Sequence, residues 1–146
     1  MDAAELIARL RLEPHPEGGH YRRVWEHEDR DGTGRPLASA IAYLLPAGVT
    51  SRWHRVDAVE LWEHEAGDPL ELRVSQNGST EEVHLLGSGP GAERRVVVPA
   101  HAWQSARSMG AGSLVTCTVT PGFVWEGFEL APEGWVPRAG PADPEV

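Results

Sequence analysis

Gly48-Val49-Thr50-Ser51-Arg52-Trp53-His54-Arg55-Val56-Asp57-Ala58-Val59-Glu60-Leu61-Trp62-Glu63-His64-Glu65-Ala66-Gly67 is the stretch on which the fold turns. A glycine stands at each end. His54 follows Gly48 after five residues, Val56 lies two beyond it, and Glu60 follows after three more. Arg52–Arg55 and Val59–Glu65 read as neighbouring strands. In the second, Glu60, Trp62 and His64 alternate and so face one side.

Outward from this stretch the chain continues as short strands. They are expected near His20–Glu26, Ser39–Leu45, Leu70–Gln76, Thr80–Leu86, Arg94–Val98, Ser113–Thr120 and Trp125–Leu130, each bounded by turn residues. Asn77-Gly78 predicts a type I′ hairpin turn joining Leu70–Gln76 to Thr80–Leu86. One segment reads as a helix: Asp2 and Glu5 form a capping-box pattern, and Leu6, Ile7 and Leu10 supply an apolar face. His15-Pro16-Glu17-Gly18-Gly19 ends it, because Pro16 lacks an amide donor. Many short strands favour an all-β sandwich or barrel, in which antiparallel closure removes exposed edges.

Several segments resemble the cupin superfamily, and one small single-domain cupin family of unknown function (DUF985-like) in particular. The Gly48–Gly67 stretch is similar to the first cupin motif. His15-Pro16-Glu17-Gly18-Gly19-His20-Tyr21-Arg22 resembles that family's HPEGG-x-Y-R segment. Val97-Val98-Pro99-Ala100 with Trp103-Gln104, Leu114–Val119, Pro121-Gly122-Phe123 and Gly127-Phe128-Glu129-Leu130 fit it in order. The resemblance implies a cupin jelly-roll (a double-stranded β-helix barrel) after the short N-terminal helix, and a homodimer. One cupin domain is expected over residues 1–135, with residues 136–146, rich in Pro, Gly and Ala, as a disordered tail.

Departures from the cupin pattern bear on chemistry. Metal-binding cupins place a second His where this chain has Val56, and Gln104 stands where the second motif has its last His. His101 replaces a motif glycine. On this correspondence the metal positions are His54, Glu60 and Gln104. Valine offers no donor, and an amide oxygen is a poor ligand for zinc or iron. His64 lies ~13 Å along the strand from Glu60, too far to share one ion. No cofactor is therefore required, and a divalent metal would be an optional, weakly held guest.

A metal-free alternative uses His54 as a general base oriented by Glu60, with Tyr43 as proton donor. This resembles the metal-free deoxysugar epimerases of the same superfamily. Tyr21, Trp53, Trp62, His64, Trp103 and Gln104 are the expected ligand-binding wall for a small polar, sugar- or nucleotide-like molecule. Three readings fit: a metal-free isomerase, epimerase or lyase; a non-catalytic binder of a small molecule; and a weakly metal-binding oxygenase or isomerase. Composition narrows the partners. The 146-residue chain carries a formal net charge of −9, and such a surface repels nucleic acid and anionic membranes. Ala38–Val49, the longest apolar run, is too short to span a bilayer. The lone Cys117 rules out an intrachain disulfide and reads as core, so a cytoplasmic location is expected.

Overall fold

The computed structural model describes residues 1–138. Among these described residues, a single α-helix, α1 (Ala3–Leu10), precedes eleven strands in two antiparallel sheets. The Asp2 carboxylate accepts the Glu5 amide at 3.1 Å, as the capping pattern predicts. Arg11, at φ 58°, closes the helix before the proline is reached.

The first sheet has the order β1 (Glu13–Pro14), β2 (His20–Glu26), β3 (Ser39–Pro46), β10 (Gly112–Thr120), β5 (Val59–Gly67) and β8 (Arg95–Val98). The second runs β11 (Phe128–Leu130), β4 (Thr50–Val56), β9 (Trp103–Ser108), β6 (Leu70–Ser75) and β7 (Glu82–Leu86). Consecutive strands switch sheets repeatedly, and the inner faces enclose one interior. This is the jelly-roll expected from the motifs.

Alternation explains the two faces. Along β5, Glu60, Trp62 and His64 are buried while Leu61 and Glu63 are half-exposed. Leu70, Leu72 and Val74 of β6 pack with Leu86 of β7, Ala106 of β9 and Val115 of β10. Each fully buried Leu contributes about 2 kcal/mol. Those β6 and β7 side chains line no part of the cavity described below, so they form the solid side of the barrel.

Three expectations need correction. β9 has no counterpart among the expected strands: Trp103-Gln104-Ser105-Ala106-Arg107-Ser108 lacks β-branched residues, yet it pairs with both β4 and β6. Trp125–Gly127 forms a 3₁₀ turn, so the last strand begins only at Phe128. The Asn77-Gly78 turn is not type I′, because only Gly78 has positive φ. Asn77 Oδ1 instead accepts the amides of Ser79 and Thr80, which widens the loop before Val74 pairs with Glu82. Residues 139–146 of the expected tail lie outside the described residues. Just before them, the Arg138 amide donates to the Gly78 carbonyl at 3.1 Å. Among the described residues, no helix is long and apolar enough to cross a membrane.

Candidate functional site

The HPEGG segment builds the site because its glycines let the backbone enter where a side chain could not. Gly18 and Gly19 have φ of 110° and 78°. A Cβ on Gly18 would stand 2.6 Å from the Thr50 carbonyl, and one on Gly19 would stand 2.7 Å from that of Leu44. Amides and carbonyls lock the turn: His15 N–H donates to Gly19, Gly18 N–H to His15, and Arg52 N–H to Glu17. The turn is thereby pinned to β4, and the Glu17 side chain enters the barrel, 5% exposed.

Glu17 meets His54 there, with Oε1 3.2 Å from Nε2. The other imidazole nitrogen, Nδ1, lies 2.7 Å from the Arg52 carbonyl. A carbonyl only accepts, so Nδ1 carries a proton and Nε2 is the reactive pole. Nε2 thus faces the Glu17 carboxylate. Glu17 Oε2 accepts from Ser51 Oγ at 2.6 Å, which fixes the carboxylate. His15 Nδ1 accepts the Glu17 amide at 3.1 Å, so its 3.5 Å approach to Glu17 Oε1 is not an ion pair through that nitrogen. Burial pushes the His15 pKa down, against the raising effect of Glu17.

Tyr43 donates its hydroxyl proton to the Gly18 carbonyl at 2.5 Å. Burial first, and Glu17 second, hold that phenol well above its ordinary pKa. Its proton is thus committed to the HPEGG turn, and the ring forms cavity wall.

Glu60 lies in a second network. Trp62 Nε1–H donates to Gln104 Oε1 at 2.8 Å, and Gln104 Nε2–H donates to Glu60 Oε1 at 2.7 Å. The indole can only donate, so the amide orientation is determined by its neighbours. Burial raises the Glu60 pKa to about 7, opposed by the His54 charge. Burial also pushes the Cys117 thiol well above its usual value. The expected orientation of His54 by Glu60 is replaced: Nδ1 bonds the Arg52 carbonyl, and Nε2 lies 3.2 Å from Glu17 Oε1.

These groups face a cavity of about 440 Å³. Its mouth is aromatic. His15 meets Tyr21 edge-on at 4.6 Å, and Phe123, Trp125 and Phe128 pack against one another at 4.8–6.0 Å. Burial raises the Tyr21 pKa. Arg35 clamps this rim, pairing with both Asp57 carboxylate oxygens at 2.7 and 3.0 Å and donating Nε–H to the Gly122 carbonyl at 2.6 Å.

His54, Glu60, Tyr43, Tyr21 and Trp62 all line this cavity, with Gln104 behind Glu60 and Trp62. The other three expected ligand-wall residues are elsewhere. Trp53 and Trp103 stack around Trp135 at 5.9 and 4.6 Å, and the Arg55 guanidinium covers Trp103 at 4.4 Å. His64 bonds through Nε2 with the Asp68 carbonyl at 3.0 Å. Glu17, His15 and the Phe123–Phe128 rim are site residues that the sequence reading misses. Their signal lies in the HPEGG and PGF segments, which read only as turn and motif.

The donor set does not fit the metal centre usual in cupins. Val56 has no ligating atom, the Gln104 oxygen is occupied by the Trp62 N–H, and His54 Nδ1 by a carbonyl. Among the described residues, no group of three or more His, Cys, Asp or Glu side chains is placed to hold an ion.

Comparison with known proteins agrees with this architecture. Residues 4–131 match the family described as Cupin superfamily (DUF985), and the chain belongs to it. A protein from Shewanella oneidensis, solved by X-ray crystallography, is similar at 33% identity and a TM-score of 0.86, over 90% of this chain and 85% of that one. A hypothetical protein from Leishmania major is similar at 28% identity and a TM-score of 0.83, over 92% and 90%. Oxalate decarboxylase from Bacillus subtilis shares the fold alone, at 13% identity and a TM-score of 0.62, over 80% of this chain and 29% of that one. No curated protein matches the chain.

Proposed function

We propose that this cupin binds a small polar molecule, sugar- or nucleotide-like in size, in its barrel and moves a proton on it without a tightly held metal. The reaction class is isomerisation, epimerisation or elimination. One observation carries the reading: His54 Nε2 lies 3.2 Å from Glu17 Oε1 at the wall of a roomy cavity, with the opposite nitrogen tied to a carbonyl. A base held in one tautomer, next to a carboxylate that takes up or returns its proton, is the apparatus such reactions need. Glu60 stands on the same wall as a second acid, with a pKa near neutrality. Tyr43, in this reading, is a wall residue whose hydroxyl pins the HPEGG turn.

Deuterium exchange tests the proposal. Ketoses, aldoses and sugar nucleotides are incubated with the protein in D₂O, and loss of C–H signals next to carbonyl carbons is followed by NMR. Protein-dependent exchange abolished in His54→Ala and Glu17→Gln is the expected result. Ligands that bind without exchange would reduce the function to simple binding. Pairing of two copies and a cytoplasmic location belong to the same proposal. The exposed Val24 and Trp25 on β2 support the first, and light scattering checks it.

A further inference from the structure

We infer that the barrel interior selects an organic cation: within the site proposed above, and resting on that reading, the guest presents a protonated amine to Glu60 against the aromatic wall. Among the described residues, the carboxylates lining the cavity are Glu13, Glu17, Glu60 and Glu126, and the guanidinium groups are those of Arg22 and Arg23. Their depths differ. Glu17 and Glu60 are 5% and 7% exposed, whereas both arginines are exposed. Arg23 is moreover committed, donating to Glu26 Oε1 at 3.1 Å and to the Phe123 carbonyl at 3.0 Å. Within the barrel the positive charge available is that of the imidazoles, and His54 already faces Glu17.

Glu60 is under-satisfied. Its Oε1 takes one hydrogen bond from Gln104, a neutral amide, and the Cys117 thiol is a weak second donor. A carboxylate offers about four acceptor positions, and this one lies on the cavity wall with none of its remaining positions used by a described side chain. A guest with N⁺–H groups would supply both hydrogen bonds and counter-charge. The rings of Tyr21, Trp62, Trp125 and Phe128 surround the same space and attract cations through their faces. A carboxylate or phosphate there would meet two buried carboxylates, whereas the arginines lining the cavity are exposed. A neutral polyol would fill the hydrogen bonds and leave the charge unmatched.

Three probes of one shape separate these cases: benzylamine, benzyl alcohol and benzoate, titrated at pH 8 while the indole fluorescence is followed. About 0.5 M NaCl is present throughout, to screen attraction to the acidic outer surface within a few ångströms. Benzylamine should bind at least about tenfold more tightly than benzyl alcohol, and benzoate should not bind. In Glu60→Gln the advantage of the amine should fall below about threefold. Equal or tighter binding of the alcohol or of benzoate would overturn the charge selection while leaving a pocket that binds. An amine preference unchanged in Glu60→Gln would overturn the assignment to Glu60. Failure of all three probes to bind would overturn the inference together with the binding site beneath it. If Glu60→Gln does not fold, the order of the three probes on the unaltered protein decides.

Discussion

Replacing Glu60 by glutamine should remove a pH dependence that the barrel imposes on its own stability. The carboxyl is 7% exposed, and burial raises its pKa from 4.5 to about 7. Below pH 4.5 the group is protonated in both folded and unfolded chains and contributes no difference. Between 4.5 and 7 the unfolded chain releases the proton and the folded chain keeps it. Stability therefore falls as pH rises through this window. At about 1.4 kcal/mol for each pH unit, the loss accumulates to about 3 kcal/mol above pH 7. The glutamine side chain of the variant would keep the hydrogen bond from Gln104 and carry no charge. Urea unfolding at a series of pH values, read as the difference between parent and variant, isolates the effect. Asp57 and Glu71, whose pKa values are lowered by arginine partners, titrate in the opposite sense and cancel in that difference. The stability of Glu60→Gln relative to the parent should rise by about 3 kcal/mol from about pH 4.5 to about pH 8. Parallel curves, or a variant that loses ground as pH rises, would refute the claim that burial without counter-charge dominates at Glu60.

Other perturbations test the framework around the site. His101 occupies the left-handed region at φ 70°, so His101→Gly should raise unfolding stability by roughly 0.5–1 kcal/mol in a urea titration. Gly18→Ala should cost about 2–3 kcal/mol and weaken guest binding, because its Cβ meets the Thr50 carbonyl and the turn carrying Glu17 must shift. Asp57→Ala leaves Arg35 without its bidentate partner. A loss of about 1–2 kcal/mol is expected, together with faster amide exchange through Gly122–Gly127.

The strand framework is legible because alternation and turn residues are local signals. They delimit His20–Glu26 without help from anything else. They do not delimit β9, because its pairing with β4 and β6 is set by partners distant in sequence rather than by its Ser- and Arg-containing residues. Within the site, strand spacing finds His54, Glu60 and Trp62. Residue type alone draws Trp53 and Trp103 into the wall, although each is the immediate neighbour of an inward residue, His54 or Gln104. Adjacent residues on a strand face opposite ways, so alternation already argues against them. Glu17 is hidden for a different reason. Its role depends on a glycine turn packing against Thr50 and Leu44, a contact between segments that spacing does not encode. The partnership of His54 with Glu17 rather than Glu60 follows from that packing.

A crystal structure of the protein soaked with benzylamine tests the central claim most directly, because it reports where a guest sits and what it touches. Density is expected in the cavity between the Phe123–Phe128 rim and the His54–Glu17 pair, with the guest nitrogen within hydrogen-bond reach of Glu60. Density confined to the outer face around Trp53 and Trp103, with the interior filled by side chains at saturating concentration, would contradict that claim.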